Sequence, residues 1–382
     1  MLGKVANPAT IFRAPCLHWL YDVNGMRTEH LRPGDPAPWF ACRAQRNERY
    51  MFHMAAGRYI VLCFFRSAGE PRARTTILGL QSHRAHFDDV NLTFFGVSTD
   101  PLDEREVRIR DSLPGIRYLW DFDRSVSAAY GAIDTSGRYN NVTYILDPNL
   151  QVVATFPWLP DSDAHLGLLK DAIDAVPAAG SACVARLQAP ILLTPRVFEP
   201  DLCSALIDYL ERNGATDSGF MRDVNGKTIG MLDHDHKRRR DCEINDDALR
   251  ELCRARIRDR LLPEVRKSFQ FQATRIERYI VACYDGADKG HFRPHRDNTT
   301  KGTAHRRFAV SLFLNTGAYD GGFLRFPEYG AALYTAQTGG AVIFSCSLLH
   351  EATPVIKGRR YMFLPFLYDE TGRRIRTENE SS

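Results

Sequence analysis

Gly290-His291-Phe292-Arg293-Pro294-His295-Arg296-Asp297-Asn298 and the later His350-Glu351-Ala352-Thr353-Pro354-Val355-Ile356-Lys357-Gly358-Arg359-Arg360 carry a His-x-Asp pair, one distant His and trailing arginines. Residues two apart on an extended backbone point the same way, so His295 and Asp297 offer an imidazole and a carboxylate on one face. His350 adds a second imidazole from another strand or its edge. Two neutral imidazoles and one carboxylate leave three positions of an octahedral ion open, a set suited to Fe(II) that binds a bidentate cosubstrate and O2. One carboxylate also leaves the site net positive for an anionic keto acid. His291, four residues before His295, lacks an Asp partner and is set aside.

Working outward, the flanking pattern is one of short strands separated by Gly, Asp, Asn and Pro: Arg275–Cys283, Phe308–Leu314, Gly322–Arg325, Gly340–Phe344 and Arg359–Leu367. This spacing predicts a two-sheet β fold, a jelly roll or a sandwich. Upstream, Pro200–Asn213 reads as a helix ending at Gly214, with Leu202, Leu206, Tyr209 and Leu210 on one face. Asp246 or Asp247 caps a second helix that turns Leu249, Leu252, Ile257 and Leu261 inward. Its Arg250, Arg254, Arg256, Arg258 and Arg260 form a solvated face. Asp233-His234-Asp235-His236 reads as an exposed loop, and Lys237-Arg238-Arg239-Arg240 as a solvated or substrate-facing basic segment. His305, Arg306 and Arg307 fit either a substrate mouth or a solvated β turn.

The first half alternates strands and helices. Pro33–Phe40 is a rigid turn, Arg58–Arg66 and Leu92–Val97 are buried strands, and 72–87 is helix-compatible. Pro101–Leu113 reads as a helix with Pro early and acids in its first turn. Val142–Leu146 and Val152–Phe156 flank the turn Asp147-Pro148-Asn149, and a last helix runs from Asp161 to Ala175. The pattern describes an α/β sandwich.

At 382 residues the chain holds two domains. The boundaries read as an extension at 1–29, a first domain at 30–178, a linker at 179–188, a second domain at 189–372 and a tail at 373–382. A net charge of +4 argues against a dedicated nucleic-acid binder. No apolar run reaches membrane-spanning length, and the N-terminus lacks a signal-type apolar segment, so a cytoplasmic location is expected. Nine scattered cysteines without a Cys-x-x-Cys fit buried free thiols and exclude a zinc ribbon.

Residues 188–372 resemble the prolyl-4-hydroxylase-type Fe(II)- and 2-oxoglutarate-dependent dioxygenases. The likeness runs through Tyr279-Ile280-Val281-Ala282-Cys283-Tyr284, His295-x-Asp297-Asn298, Val310-Ser311-Leu312-Phe313-Leu314-Asn315, Gly321-Gly322-x-Leu324-x-Phe326-Pro327, Gly339-Gly340-Ala341-Val342-Ile343-Phe344 and His350-x-x-x-Pro354-Val355-x-x-Gly358-x-Arg360. The resemblance implies a double-stranded β-helix (jelly roll) with flanking helices. It also implies His295, Asp297 and His350 as catalytic metal ligands, Arg360 as the clamp on the far carboxylate of 2-oxoglutarate, and Tyr284 beside metal and cosubstrate. An Arg fork takes a carboxylate bidentately, which suits Arg360 where collagen-type members carry Lys. Arg359 is its competitor, since one register slip exchanges the two. Arg307 and Asn298 are the candidates for substrate contact. The implied activity is hydroxylation of a small molecule or a peptidyl or protein substrate, with release of succinate and CO2. Fe(II), 2-oxoglutarate, O2 and, by resemblance only, L-ascorbate (vitamin C) are the implied cofactors. The metal Asp disfavours a halogenase.

Residues 30–178 resemble the peroxiredoxin branch of the thioredoxin superfamily, through Gly34-Asp35-x-Ala37-Pro38-x-Phe40 and the strand that follows. That family's Pro, Thr or Ser, and peroxidatic Cys fall here on Arg66, Glu70 and Ala73, and its supporting Arg on Asn141. Cys63 sits inside a strand, where a thiol is usually inert. The expected architecture is therefore an α+β two-domain chain whose first, thioredoxin-like domain is a redox-inactive scaffold for binding or homo-oligomerisation. The rival readings are a non-catalytic iron or oxygen sensor and a thiol peroxidase acting through the first domain.

Overall fold

The computed structural model describes Thr10–Ile11, a two-residue strand (β1), and residues 29–380 apart from 179, 186 and 226. Most of the extension expected at 1–29 lies outside the described residues. The chain divides into two compact units, Pro15–Cys183 and Val184–Ser382 with Met1–Ala14. Among the described residues no helix is long and apolar enough to cross a membrane.

The first unit is built on seven strands: β2 (Ala41–Ala44), β3 (Asn47–Met51), β4 (Tyr59–Phe65), β5 (Leu92–Ser98), β6 (Ile116–Trp120), β7 (Val142–Leu146) and β8 (Val152–Pro157). They form one sheet in the order β3-β2-β6-β5-β4-β7-β8, with β4, β5 and β6 parallel and the rest antiparallel. Both faces of β4 are buried, which is why its sequence is apolar throughout. Val61, Cys63 and Phe65 pack against α1 (Pro71–Ser82) and α4 (Ser162–Asp174), while Ile60, Leu62 and Phe64 face Phe40, Phe52 and Tyr130. Between them lie the short helices α2 (Pro101–Arg105) and α3 (Ser125–Ala129).

One expectation fails here: the helix read as Pro101–Leu113 stops at Arg105. Asp103 is buried, and its carboxylate accepts Ala68 N–H at 2.7 Å and Ser98 Oγ–H at 2.6 Å. Val107 then takes φ +53°, a conformation no helix continues through.

The second unit stacks a helical layer, a large sheet and a smaller sheet. After β9 (Leu192–Thr194) and α5 (Pro200–Asn213) come β10 (Thr216–Asp217), the hairpin β11 (Phe220–Val224) and β12 (Lys227–Met231), then β13 (Lys237–Arg238) and β14 (Arg240–Glu243). Next come α6 (Asp247–Arg256), a π-helical turn at Ile257–Leu261 and α7 (Leu262–Phe269). The remaining strands are β15 (Arg275–Glu277), β16 (Ile280–Asp285), β17 (His291–His295), β18 (Phe308–Phe313), β19 (Tyr319–Gly321), β20 (Leu324–Arg325), β21 (Leu333–Tyr334), β22 (Ala341–Ser345), β23 (His350–Ala352), β24 (Val355–Phe363) and β25 (Phe366–Tyr368). Helix α8 (Glu370–Glu380) occupies the segment read as a tail.

The large sheet runs β1-β15-β25-β18-β24-β16-β14-β10, with β22 joining β18 to β9; the small one runs β13-β17-β23-β20-β21. Alternation along β16 and β24 explains the layering. Val281, Cys283, Tyr361 and Phe363 pack on the helices, whereas Ala282, Tyr284 and Met362 join Phe292, Leu324 and Ala352 in the core between the sheets.

Three local expectations are corrected. Arg275–Cys283 is not one strand, because Arg278 adopts φ +58° and separates β15 from β16. Arg260 is not on a solvated face: it is 1% exposed, donating to Glu199 at 2.8 Å and to the Val197 carbonyl at 3.3 Å. The wider π turn rotates it inward, and Leu252 correspondingly turns out to solvent.

Candidate metal centre and its cavity

His295 ends β17 and His350 opens β23, and in the antiparallel register the two residues face each other across the strands. Asp297 follows, its N–H donating to the Cys346 carbonyl at 3.0 Å. Its carboxylate serves both imidazoles: His295 Nε2 lies 3.6 Å from Oδ1 and His350 Nε2 lies 3.3 Å from Oδ2. Among the described residues this is the one His, Cys, Asp or Glu group whose ligand atoms converge within 4.8 Å.

The tautomers follow from the partners. His295 Nδ1 meets the Arg293 carbonyl at 2.8 Å and His350 Nδ1 meets the Leu348 carbonyl at 3.0 Å. A carbonyl only accepts, so each Nδ1 carries the proton and each Nε2 keeps its lone pair toward the centre. Burial, reinforced by His350, lowers His295 to about 4, which keeps it neutral. Burial works against the Asp297 carboxylate, but the two imidazoles outweigh it and hold the group well below its ordinary range. Phe292 stacks on His295 with ring centres 3.4 Å apart, and Phe344 lies 4.5 Å from His350. The donor set and the fixed Nε2 lone pairs fit a divalent ion such as Fe(II).

The centre opens into a cavity of about 550 Å³. Arg360 lines it, paired in register with Tyr284 on the neighbouring strand. Its guanidinium is 4.9 Å from the Tyr284 ring and 5.2 Å from that of Phe313. The residue is 1% exposed, yet its buried Nε has no hydrogen-bond partner. An orphaned buried cation of this kind is costly unless a ligand completes it, so the socket fits an oxyanion. Arg359 points the other way, its side chain 51% exposed and bonded to Asp285 and Glu211.

His305 and Arg306 are neither at a mouth nor in a solvated turn. Both are buried on Glu277: His305 Nε2 is 2.8 Å from Oε2, and Arg306 makes bonds of 2.8 and 2.6 Å to the two carboxylate oxygens. Arg306 also donates to the Asp297 carbonyl at 3.3 Å, bracing the metal loop from behind. Arg307 and Asn298 lie outside the cavity lining. Arg307 donates to the Ala304 carbonyl, and Asn298 Nδ2 to Ser347 Oγ. His291 is half-buried away from the centre, bonded to the Lys289 and Asp235 carbonyls.

Three cavity residues escaped the sequence reading as site residues: Lys237, Arg239 and Arg278. For the first two the signal was present, since a Lys-x-Arg in extended backbone sends both side chains one way. Arg278 carried none: it follows Glu277 just before the apolar run that begins at Tyr279.

In the first unit, the position of a peroxidatic cysteine is filled differently. Ala73 is fully buried, Arg66 pairs with Glu70 at 2.6 Å, and Arg108 reaches across to Asp100 and Asp103. Cys63 has no exposure, and burial pushes its thiol up to about 12.

Residues 279–368 match the family model of the 2OG-Fe(II) oxygenase superfamily, and residues 33–155 that of the AhpC/TSA family. No curated protein sequence matches the chain. Among solved structures it is similar to a Trichoplax adhaerens prolyl hydroxylase in complex with a hypoxia inducible factor oxygen degradation domain peptide fragment, at 16% identity over 49% of this chain and 87% of that one, TM-score 0.37. It is similar to a Pseudomonas putida prolyl-4-hydroxylase at 17% identity over 47% and 93%, TM-score 0.35. The first half is similar to peroxidoxin BcpB of Mycobacterium tuberculosis at 22% identity over 39% and 100%, TM-score 0.34. The chain thus carries an AhpC/TSA-type, thioredoxin-like domain followed by a domain of the 2OG-Fe(II) oxygenase superfamily.

Proposed function

We propose that the second domain is an Fe(II)- and 2-oxoglutarate-dependent dioxygenase that hydroxylates a C–H bond of a small molecule or peptide and releases succinate and CO2. The observation that carries this reading is the pairing, in one cavity, of the converging His295–Asp297–His350 triad with Arg360, whose buried Nε has no hydrogen-bond partner. Bound iron and 2-oxoglutarate supply the activation of O2, chemistry that belongs to the cofactors. The chain's own residues position and protect. His295 and His350 offer Nε2 because their Nδ1 protons are committed to carbonyls, and Asp297 supplies the single negative charge. Arg360 holds the far carboxylate of the cosubstrate, with Tyr284 alongside. Phe292, Phe344, Phe366 and Leu324 give the cavity apolar walls that limit water.

The two-sheet body is read as a double-stranded β-helix. The first domain is read as a non-catalytic scaffold for binding or self-association, which its deeply buried Cys63 supports. Among the described residues eight cysteines are free thiols, seven of them buried, which suits a reducing, cytoplasmic setting. A role for ascorbate rests on the family resemblance alone.

The test is anaerobic titration of the full chain with Fe(II) and 2-oxoglutarate. The reading expects a weak visible charge-transfer band, absent in His295→Ala, and succinate formation once O2 is admitted. A band that survives His295→Ala sinks the metal assignment. A band without succinate, with lysate-derived substrate pools present, replaces the enzyme by a sensor.

A further inference from the structure

The cavity wall holds more positive charge than the cosubstrate needs. Lys237 and Arg239 project inward from one extended segment, while Arg238 and Arg240 line the neighbouring surface groove. Lys237 is 4% exposed and Arg239 is 7% exposed. Arg278 reaches the same cavity from the left-handed break between β15 and β16.

Their donors are only partly used. Lys237 Nζ donates to Ser218 Oγ at 2.7 Å and to the Gly219 carbonyl at 2.6 Å, which leaves one of an ammonium's three protons. Arg278 Nε donates to the Leu364 carbonyl at 3.0 Å, and its guanidinium lies 4.3 Å from the Phe366 ring centre. Its two Nη groups form no ion pair among the described residues. Arg239 does pair, with Asp241 at 2.6 Å. Among the described residues Asp241 is the one carboxylate ion-paired within this cluster; Asp297 and Glu277 act on Lys237 and Arg278 only from beyond ion-pair distance. Burial, and then the charge of Arg239, push the Lys237 ammonium well below its ordinary pKa. A purely structural network would close its own ion pairs, because an unpaired buried cation is strongly destabilising.

We propose that Lys237, Arg239 and Arg278 form an oxyanion subsite for the substrate, distinct from the Arg360 socket, so that the molecule oxidised at the metal centre carries a carboxylate or phosphate. As a substrate assignment it rests on the dioxygenase reading; as an anion site it does not. The geometry gives the subsite its role. Lys237 Nζ is 4.8 Å from the centre of the Phe292 ring, whose plane stacks on His295. An anion held there anchors one end of a substrate while its remainder lies over the metal centre.

The test uses the full chain without added metal or 2-oxoglutarate. Heats of binding are measured with inorganic phosphate and, separately, with propionate. Saturable binding with Kd on the order of 1 mM or tighter is expected for at least one of them. The tighter of the two tells whether the substrate group is a phosphate or a carboxylate. Lys237→Gln and Arg278→Gln should each weaken that binding about tenfold or more, with thermal unfolding confirming that the variants fold. Arg278 is only half-buried, so its variant stands if Lys237→Gln proves unstable. Arg360→Gln should remove any second binding event at its own socket and change this one by less than about threefold. If Arg360→Gln abolishes binding while the other two retain it, or if neither probe saturates the wild type, the subsite does not exist. Failure to form the Fe(II) and 2-oxoglutarate band with anion binding intact would instead remove the dioxygenase reading alone.

Discussion

Arg359 and Arg360 are adjacent on β24 and face opposite sides of the large sheet: Arg360 is sealed against Tyr284 and Phe313, while Arg359 reaches Asp285 and Glu211 at the surface. Neighbouring strand residues alternate, so the register of β24 decides which guanidinium enters the cavity. Tyr361, on Arg359's side, donates its hydroxyl proton to Glu211 at 2.5 Å and locks that register.

Arg360→Gln should therefore raise the KM for 2-oxoglutarate by about 10- to 100-fold, the worth of a buried charge-assisted hydrogen-bond pair. Arg359→Ala removes exposed ion pairs and should change it by less than about threefold. Steady-state kinetics of 2-oxoglutarate turnover on both variants checks this, and a larger rise for Arg359→Ala reverses the assignment.

Gly322 supports the same socket from the other side. It takes φ +63°, and a Cβ there would sit 2.6 Å from Arg360 Cδ and 2.9 Å from Val355 Cγ2. Gly322→Ala must move Arg360 within a packed core. The expected outcome is a rise in cosubstrate KM similar to that of Arg360→Gln, with Fe(II) affinity unchanged because the triad lies elsewhere. Equal loss of metal binding would show that the glycine supports the strand generally and not the clamp.

The Glu277 carboxylate gives the second domain an acid-sensitive brace. Burial disfavours its charge, but Arg306 and the hydrogen bonds from His305 and Arg306 more than compensate and hold it below its ordinary value of 4.5. A depressed folded-state pKa adds stability that is complete above the unfolded value and lost as pH falls toward the folded one. Wild-type stability should thus decline below about pH 4.5, and the Glu277→Gln variant should show a flatter decline. At neutral pH that variant should lose about 3 kcal/mol, since it strands the buried Arg306. Urea unfolding across pH reads both; parallel slopes for wild type and variant would refute the linkage.

Where the sequence was legible, burial and periodicity agreed. The continuous apolar runs of β4 and β5 need both faces covered, and the structure covers them. His295 and Asp297 were legible through spacing, and His350 through the family motif; their convergence is what the fold adds. Charged residues were misread when their partners were distant in sequence. Arg260 looks solvated until Glu199 is placed beside it, and Arg306 looks like a turn residue until Glu277 is. Arg278 was hidden for another reason: its role depends on a left-handed backbone that no residue pattern announces.

The thiols offer a last test, bearing on the first domain. Peroxide reduction needs an accessible thiolate. Cys42 and Cys63 are buried and burial pushes each up to about 12, so at pH 8 roughly one thiol in ten thousand is ionised. In the second domain Cys203 and Cys253 are likewise raised to about 12 and Cys283 to about 11. Cys183 is the one exposed thiol among the described residues. Brief iodoacetamide treatment of the native chain should therefore label Cys183 and spare the buried Cys42, Cys63, Cys203, Cys242, Cys253, Cys283 and Cys346 until the protein is unfolded. Peroxide consumption should stay at the rate of an ordinary exposed thiol, and Cys63→Ser should leave it unchanged. Peptide mapping by mass spectrometry and a peroxide assay read the two outcomes. Native labelling of Cys63, or a fall in peroxide turnover on its replacement, would restore the thiol-peroxidase reading of this domain.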